Sequence, residues 1–124
     1  MPDTTREKQG HVDFLELHIL HHAKEEHLYG LWMIEELAHH GYKVGPSHLY
    51  PKFHRLERQG YLKREDRLVD GKVRKYYRAT AKGVRYLETR KRMVLELVKE
   101  AFSTAELEQL ATSKKQKQKE KDAK

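Results

Sequence analysis

Apolar side chains recur at helical spacing over residues 12–24, 29–40 and 45–60, alternate over 61–79, and return to helical spacing from 81 onward. In the first stretch Val12, Leu15 and Ile19 form one stripe, which Phe14, Leu17 and Leu20 widen beyond half the circumference. A helix so apolar, Val12 to Lys24, needs two neighbours, one in its own domain and one on a second subunit. Tyr29 to His40 predicts a second helix, with Leu31, Ile34, Leu37 and Ala38 at core spacing and Gly41 as its stop. After a turn over Tyr42–Pro46 comes a third helix, with Ser47 as its expected N-cap and Pro51 at the fourth helical position. Leu49, Phe53 and Leu56 share a narrow arc that must be buried, and Gly60 ends the helix.

Tyr61–Val69 and Lys72–Ala79 flank Asp70-Gly71, a strong signal for a two-residue type I′ hairpin. That turn pairs Val69 with Lys72, Leu68 with Val73, Asp66 with Lys75, Arg67 with Arg74 and Arg64 with Tyr77, and puts Leu62, Tyr77 and Ala79 on the face nearest the core. Thr80 is a fitting N-cap for a long helix from Ala81 to about Phe102. Val84, Lys91 and Val98 fall on one heptad position and Leu87, Val94 and Ala101 on the other, with Leu95 and Phe102 beside them. This stripe extends past anything a small core could cover, so it is expected to pair with a second copy, Lys91 restraining the register. Ser103 to Glu106 resembles a capping box that opens a short helix, Ala105 to Ala111.

The order helix, turn, helix, two-stranded wing predicts a mostly α fold with a small β-hairpin: a winged helix-turn-helix domain plus a C-terminal dimerisation helix. The expected division is a flexible arm over 1–11, the winged helix over 12–80, dimerisation helices over 81–112 and a disordered lysine-rich tail over 113–124.

Composition bounds this picture. The chain has 124 residues, 37% hydrophobic and 36% charged, enough for one compact domain and little more. No apolar run approaches the roughly 18 residues a membrane span needs. With its polar first ten residues, the chain is expected to be cytoplasmic, with no membrane association. Without cysteine there is no disulfide and no thiolate metal site. Charge is unevenly placed. Residues 43–78 hold 11 basic against 4 acidic side chains, an excess equal to the formal +7 of the whole chain, whereas residues 1–42 hold 3 against 8. An acidic first third joined to a basic reading helix and hairpin is the footprint of a nucleic-acid face.

The third helix supplies that chemistry. Ser47, Pro51, His54 and Arg58 lie opposite its buried arc, flanked by His48, Lys52 and Arg55, a set of donors and cations suited to a DNA major groove. Lys43, in the preceding turn, is placed for a backbone phosphate. Arg67, Lys72 and Arg74 crowd the hairpin tip, with Lys75 next in line; Arg67 faces Arg74, a repulsion that an external anion would relieve. Double-stranded DNA is therefore the expected partner. Nothing supports an enzyme: there is no nucleophile constellation and no phosphate-cradling glycine loop. Two other readings stand beside this one. His18, His21 and His22, with His39 and His40 elsewhere, would suit a metal-responsive sensor, against nine histidines scattered on exposed faces; the scattered reading is preferred and no cofactor or metal is expected. A winged helix used only for contacts with an acidic protein is the other.

Several segments resemble the PadR family of transcriptional regulators, in its shorter form with a single main C-terminal helix. These are Leu28-Tyr29-Gly30, Leu49-Tyr50-Pro51, Arg55-Leu56-Glu57, Asp70-Gly71 with Arg74-Lys75-Tyr76-Tyr77, and Thr80-Ala81-Lys82-Gly83. The resemblance spans about Leu15 to Phe102. It implies a homodimeric repressor on a palindromic operator, with the last and first helices at the dimer interface. Ser47, Tyr50, Pro51 and Lys52 then correspond to the family's contact region, and Lys72 and Arg74 to its wing-tip contacts. Tyr50 sits at the edge of the buried arc, so packing with its hydroxyl near a phosphate fits as well as direct contact. The resemblance leaves a small-molecule effector open, since the only tryptophan, Trp32, is on the second helix.

Overall fold

A computed structural model of the chain describes residues 11–112. The elements run α1 (Phe14–Glu25), α2 (Gly30–His39), α3 (Pro46–Arg58), β1 (Leu62–Val69), β2 (Lys72–Ala79) and α4 (Ala81–Ala101), then α5 over residues 104–112. The arm expected over 1–11, except His11, and the tail expected over 113–124 fall outside the described residues. The chain divides into two compact units, the second beginning at Arg92. No helix among the described residues is long and apolar enough to cross a membrane.

In the first unit, α1 opens two residues later than its apolar stripe suggests. Asp13 is the N-cap, its side chain accepting from the Glu16 amide at 3.2 Å, which leaves Val12 ahead of the helix. This phase buries Ile19, Leu20 and Ala23 together with Glu16, and leaves Phe14 exposed. In α2 the inner stripe is Gly30, Met33 and Leu37, so Leu31 and Ala38 turn outward, Leu31 with 57% of its surface exposed. Space sets this phase: a Cβ on Gly30 would lie 2.5 Å from the Tyr50 hydroxyl, so the backbone of α2 lies against the ring of Tyr50.

α2 and α3 both end in Schellman turns. Tyr42 and Tyr61 donate to the carbonyls of Leu37 and Leu56 at 2.9 Å, with Gly41 and Gly60 at φ of 85° and 82°. α3 itself starts earlier than expected. Gly45 is its N-cap and Pro46 occupies the first turn, where a fixed φ is pre-set for a helix and no amide is missed. Ser47 is thus a helical residue, and Pro51, as the sixth residue, deprives the Ser47 carbonyl of its usual donor. Leu49, Phe53 and Leu56 are fully buried.

The hairpin has the register its turn dictates, from Leu62 opposite Ala79 to Val69 opposite Lys72, closed by Asp70 and Gly71 at φ of 51° and 77°. A third segment joins it. Leu28 and Tyr77 exchange backbone hydrogen bonds at 2.9 and 2.7 Å, stitching the α1–α2 loop to the wing. Tyr77 also stacks on Phe53, ring centroids 4.6 Å apart, so the wing and α3 share one buried contact. Thr80 caps α4, accepting from the Gly83 amide at 3.0 Å and donating to the Gly60 carbonyl at 2.6 Å. Leu87 belongs to this core, beside Tyr61 and Tyr86, which stack at 4.2 Å.

The second unit holds the remainder of α4 and α5. Ser103 and Glu106 satisfy each other's amides at 3.1 Å, the reciprocal capping box. Leu95, Leu97, Phe102, Leu107 and Leu110 are exposed here.

Candidate nucleic-acid interface

With Leu49, Phe53 and Leu56 inward, α3 exposes Ser47, His48, Pro51, His54, Arg55 and Arg58, and Lys43 is exposed in the turn before it. Tyr50 is at the boundary, its ring over Gly30 and tilted against Phe53 at 6.2 Å. The stack of Tyr77 on Phe53 fixes where the wing stands relative to this face.

Lys52 and Arg55 are placed differently from their neighbours. Lys52, only half-exposed, donates to the Asp13 carboxylate. Arg55 Nη1 lies 3.4 Å from Glu16 Oε1, and Glu16 is 3% exposed. Two of the three lysines and arginines that the expected contact set places on α3 are therefore held by carboxylates at the start of α1. From the sequence, Asp13 and Glu16 count only toward the acidic charge of the first third, because nothing local specifies which element will pack against them. One signal was available: acidic residues at i, i+3 on α1 match the spacing of Lys52 and Arg55 on α3. Burial pushes the Asp13 carboxyl up, but hydrogen bonds from Lys52 and from the Glu16 amide outweigh it and hold the group below its ordinary value. The second oxygen of Glu16 accepts from the Tyr86 hydroxyl at 3.3 Å, and burial, then the nearby Glu16 charge, push the Tyr86 phenol up.

On the wing, Arg67 and Arg74 face each other across the ladder as expected, but each has its own counterpart within the protein. Arg67 donates to Glu65 at 2.9 Å and lies over the Tyr76 ring at 4.5 Å; Arg74 lies over Tyr29 at 4.7 Å, and the two rings meet edge to face. Rings and a carboxylate of the protein itself thus lie against both guanidinium groups. Arg67, in turn, holds the Glu65 carboxyl below its ordinary value. Lys72 and Lys75 are exposed, as are Leu68 and Val73 at the tip. Asp66, paired with Lys75 in register, directs its carboxylate to Arg64 at 3.3 Å.

Of the expected dimerisation set, Ile19 and Leu87 are wholly covered by their own unit and offer nothing to a partner. Val12, Leu15, Val84, Val94 and Val98 are half-buried, while Lys91, Leu95, Ala101 and Phe102 are exposed; Lys91 pairs with Glu88 at 3.4 Å. Leu97, which lies off the heptad positions, and Leu107 and Leu110, which lie on α5 beyond the heptads, join that exposed set.

The histidines are less scattered than the sequence suggests. His18 lies 5.7 Å from His40 and 5.2 Å from Tyr42 between ring centroids, and His22 lies 5.0 Å from His21 and 5.2 Å from Trp32. Glu36 Oε1 faces His22 at 3.8 Å and His40 at 3.3 Å. Among the described residues no group of three or more such side chains is placed to hold a metal ion.

This arrangement has known counterparts. The chain is 48% identical over 86 residues to the transcriptional regulator Rv3488 of Mycobacterium tuberculosis, covering 69% of this chain and 80% of that protein. A PadR family transcriptional regulator from Eggerthella lenta superposes with a TM-score of 0.61 at 32% identity, over 82% of this chain and 89% of the other. Bacillus subtilis PadR in complex with operator DNA matches in fold, with a TM-score of 0.57 at 20% identity over 88% of this chain and 71% of that one. Residues 19–89 match the transcriptional regulator PadR-like family, and the chain belongs to that family.

Proposed function

We propose that this regulator is a homodimeric repressor that reads an inverted-repeat operator through α3 and steadies itself on the backbone with the wing. The observation that carries the reading is the two-sidedness of α3: three apolar residues fully buried, with Ser47, His48, His54 and Arg58 exposed opposite. The wing, locked to that helix by Phe53 and Tyr77, supplies Lys72 and Lys75. Arg58 and His54 serve as base-edge or near-base donors, and Lys43, Lys72 and Lys75 as phosphate contacts. Dimerisation uses the exposed apolar residues of the second unit, Leu95, Phe102 and their neighbours, with Phe14 available on α1. An effector that releases the repressor is compatible with the family and has no assigned pocket.

Selection of bound duplexes from a random pool tests the reading. An inverted repeat with half-sites about one helical turn apart is the expected result. Arg58→Ala then costs operator affinity by about 1–3 kcal/mol and relaxes the preference at one position, while Lys72→Ala weakens all duplexes alike. Enrichment of no sequence, with both variants binding as wild type, overturns it.

A further inference from the structure

Two carboxylates of α1 sit where DNA phosphates would otherwise be expected. Asp13 takes Lys52 and Glu16 takes Arg55, rung by rung, across the gap between α1 and α3. These are two of the three lysines and arginines on α3; only Arg58 has no α1 carboxylate against it in this way. Glu16 cannot turn to solvent, because it is buried and its other oxygen is held by Tyr86. The Glu16 oxygen facing Arg55 has no hydrogen-bond donor, and Arg55 brings a positive charge to 3.4 Å from it. Asp13 is fixed as well, being the N-cap of α1.

We propose that Asp13 and Glu16 act as an internal phosphate mimic that withholds Lys52 and Arg55 from non-specific contact with nucleic acid, and so sets the discrimination between operator and random duplex. The inference rests on α3 being the DNA-facing helix. On random DNA the long cations would add affinity with every phosphate they reach, without regard to sequence. Held against Asp13 and Glu16, Lys52 and the half-exposed Arg55 have part of their charge already neutralised and add less. Operator binding, which draws on Arg58, His54 and Ser47, keeps its contacts. Discrimination is thereby written partly on a helix that touches no base.

The test is a titration of full-length protein with a random-sequence duplex across a range of salt, for wild type, Asp13→Asn, Glu16→Gln and the double variant. Asparagine keeps the N-cap and glutamine keeps an acceptor for Tyr86, so each change removes charge with little else. Each freed cation should steepen the slope of log K against log salt by about 0.9, hence by about 1.8 in the double variant. Affinity for random duplex at low salt rises severalfold, and the ratio of operator to random affinity falls. In an Arg55→Ala background Glu16→Gln should have no effect, and likewise Asp13→Asn in Lys52→Ala. Unchanged or shallower slopes in folded variants overturn the clamp while leaving the DNA reading intact. If Glu16→Gln fails to fold, Asp13→Asn with Lys52 decides alone. Wild type that binds no duplex in a salt-dependent way overturns the DNA reading itself, and the clamp with it.

Discussion

At the scale of single residues, the fold is most sensitive where backbone meets backbone. A Cβ on Gly83 would lie 2.0 Å from the carbonyl oxygen of Tyr61, and that carbonyl already accepts from the Thr80 amide at 3.0 Å. Gly83→Ala must therefore pry α4 from the backbone just before β1, and chemical denaturation should register a loss of about 1–3 kcal/mol or more. Gly30→Ala meets only the end of the Tyr50 ring, which can swing, so its main effect should be on α3 and on DNA binding, with a smaller loss of stability. Asp13 gives a pH signature. Its folded-state value is depressed below 3.8, so its contribution to stability is complete above that value and is lost as pH falls through the lower folded one. Denaturation of wild type and Asp13→Asn should therefore differ at neutral pH and converge in strong acid. The contacts of Gly83 with Tyr61 and of Asp13 with Lys52 each join segments far apart in the chain.

At the scale of elements, the α1–α2 face carries a second pH dependence. Burial first, then neighbouring imidazoles, depress His18 and His22 below 6.5, with Glu36 pulling the other way. The folded state then favours the neutral rings, whereas the unfolded chain takes up protons as pH drops past 6.5. Stability is thus complete above that value and declines below it until the folded rings also protonate. Melting temperatures should fall between pH 7.5 and pH 5 (about), and His22→Gln should flatten the profile. This follows from helix packing: His18 and His22 share a face of α1 at i, i+4, but α2 and its turn supply His40, Glu36, Trp32 and Tyr42. The wing shows the same logic. Its register was legible from Asp70-Gly71, because a type I′ turn leaves one pairing open. The partner of Arg74 was not, because Tyr29 comes from a loop more than thirty residues upstream.

At the scale of the whole molecule, dimerisation and DNA binding should be linked. The second unit exposes Leu95, Phe102, Leu107 and Leu110, and such a surface on a small unit favours association with a copy of itself. Leu95→Lys should shift sedimentation toward monomer and reduce affinity for an inverted repeat far more than for a single half-site, because only the repeat rewards two linked reading helices. If Leu95→Lys remains dimeric, the partner surface lies elsewhere. Of the basic excess over residues 43–78, Lys52 and Arg55 are already paired with Asp13 and Glu16 within the protein.

The order of elements, both glycine stops, the hairpin register and the buried arc of α3 were readable from the chain, since each depends on neighbours a few residues away: a period, a turn type, a cap. The phases of α1 and α2, the covering of Ile19 and Leu87, and the partners of Lys52 and Arg55 were decided only by tertiary structure. Each of these depends on which distant surface arrives against a helix, and a helical period specifies that a face is apolar without specifying what will press on it. Charge behaves likewise: composition locates the cations, but only the packing of α1 on α3 determines which of them are already spoken for.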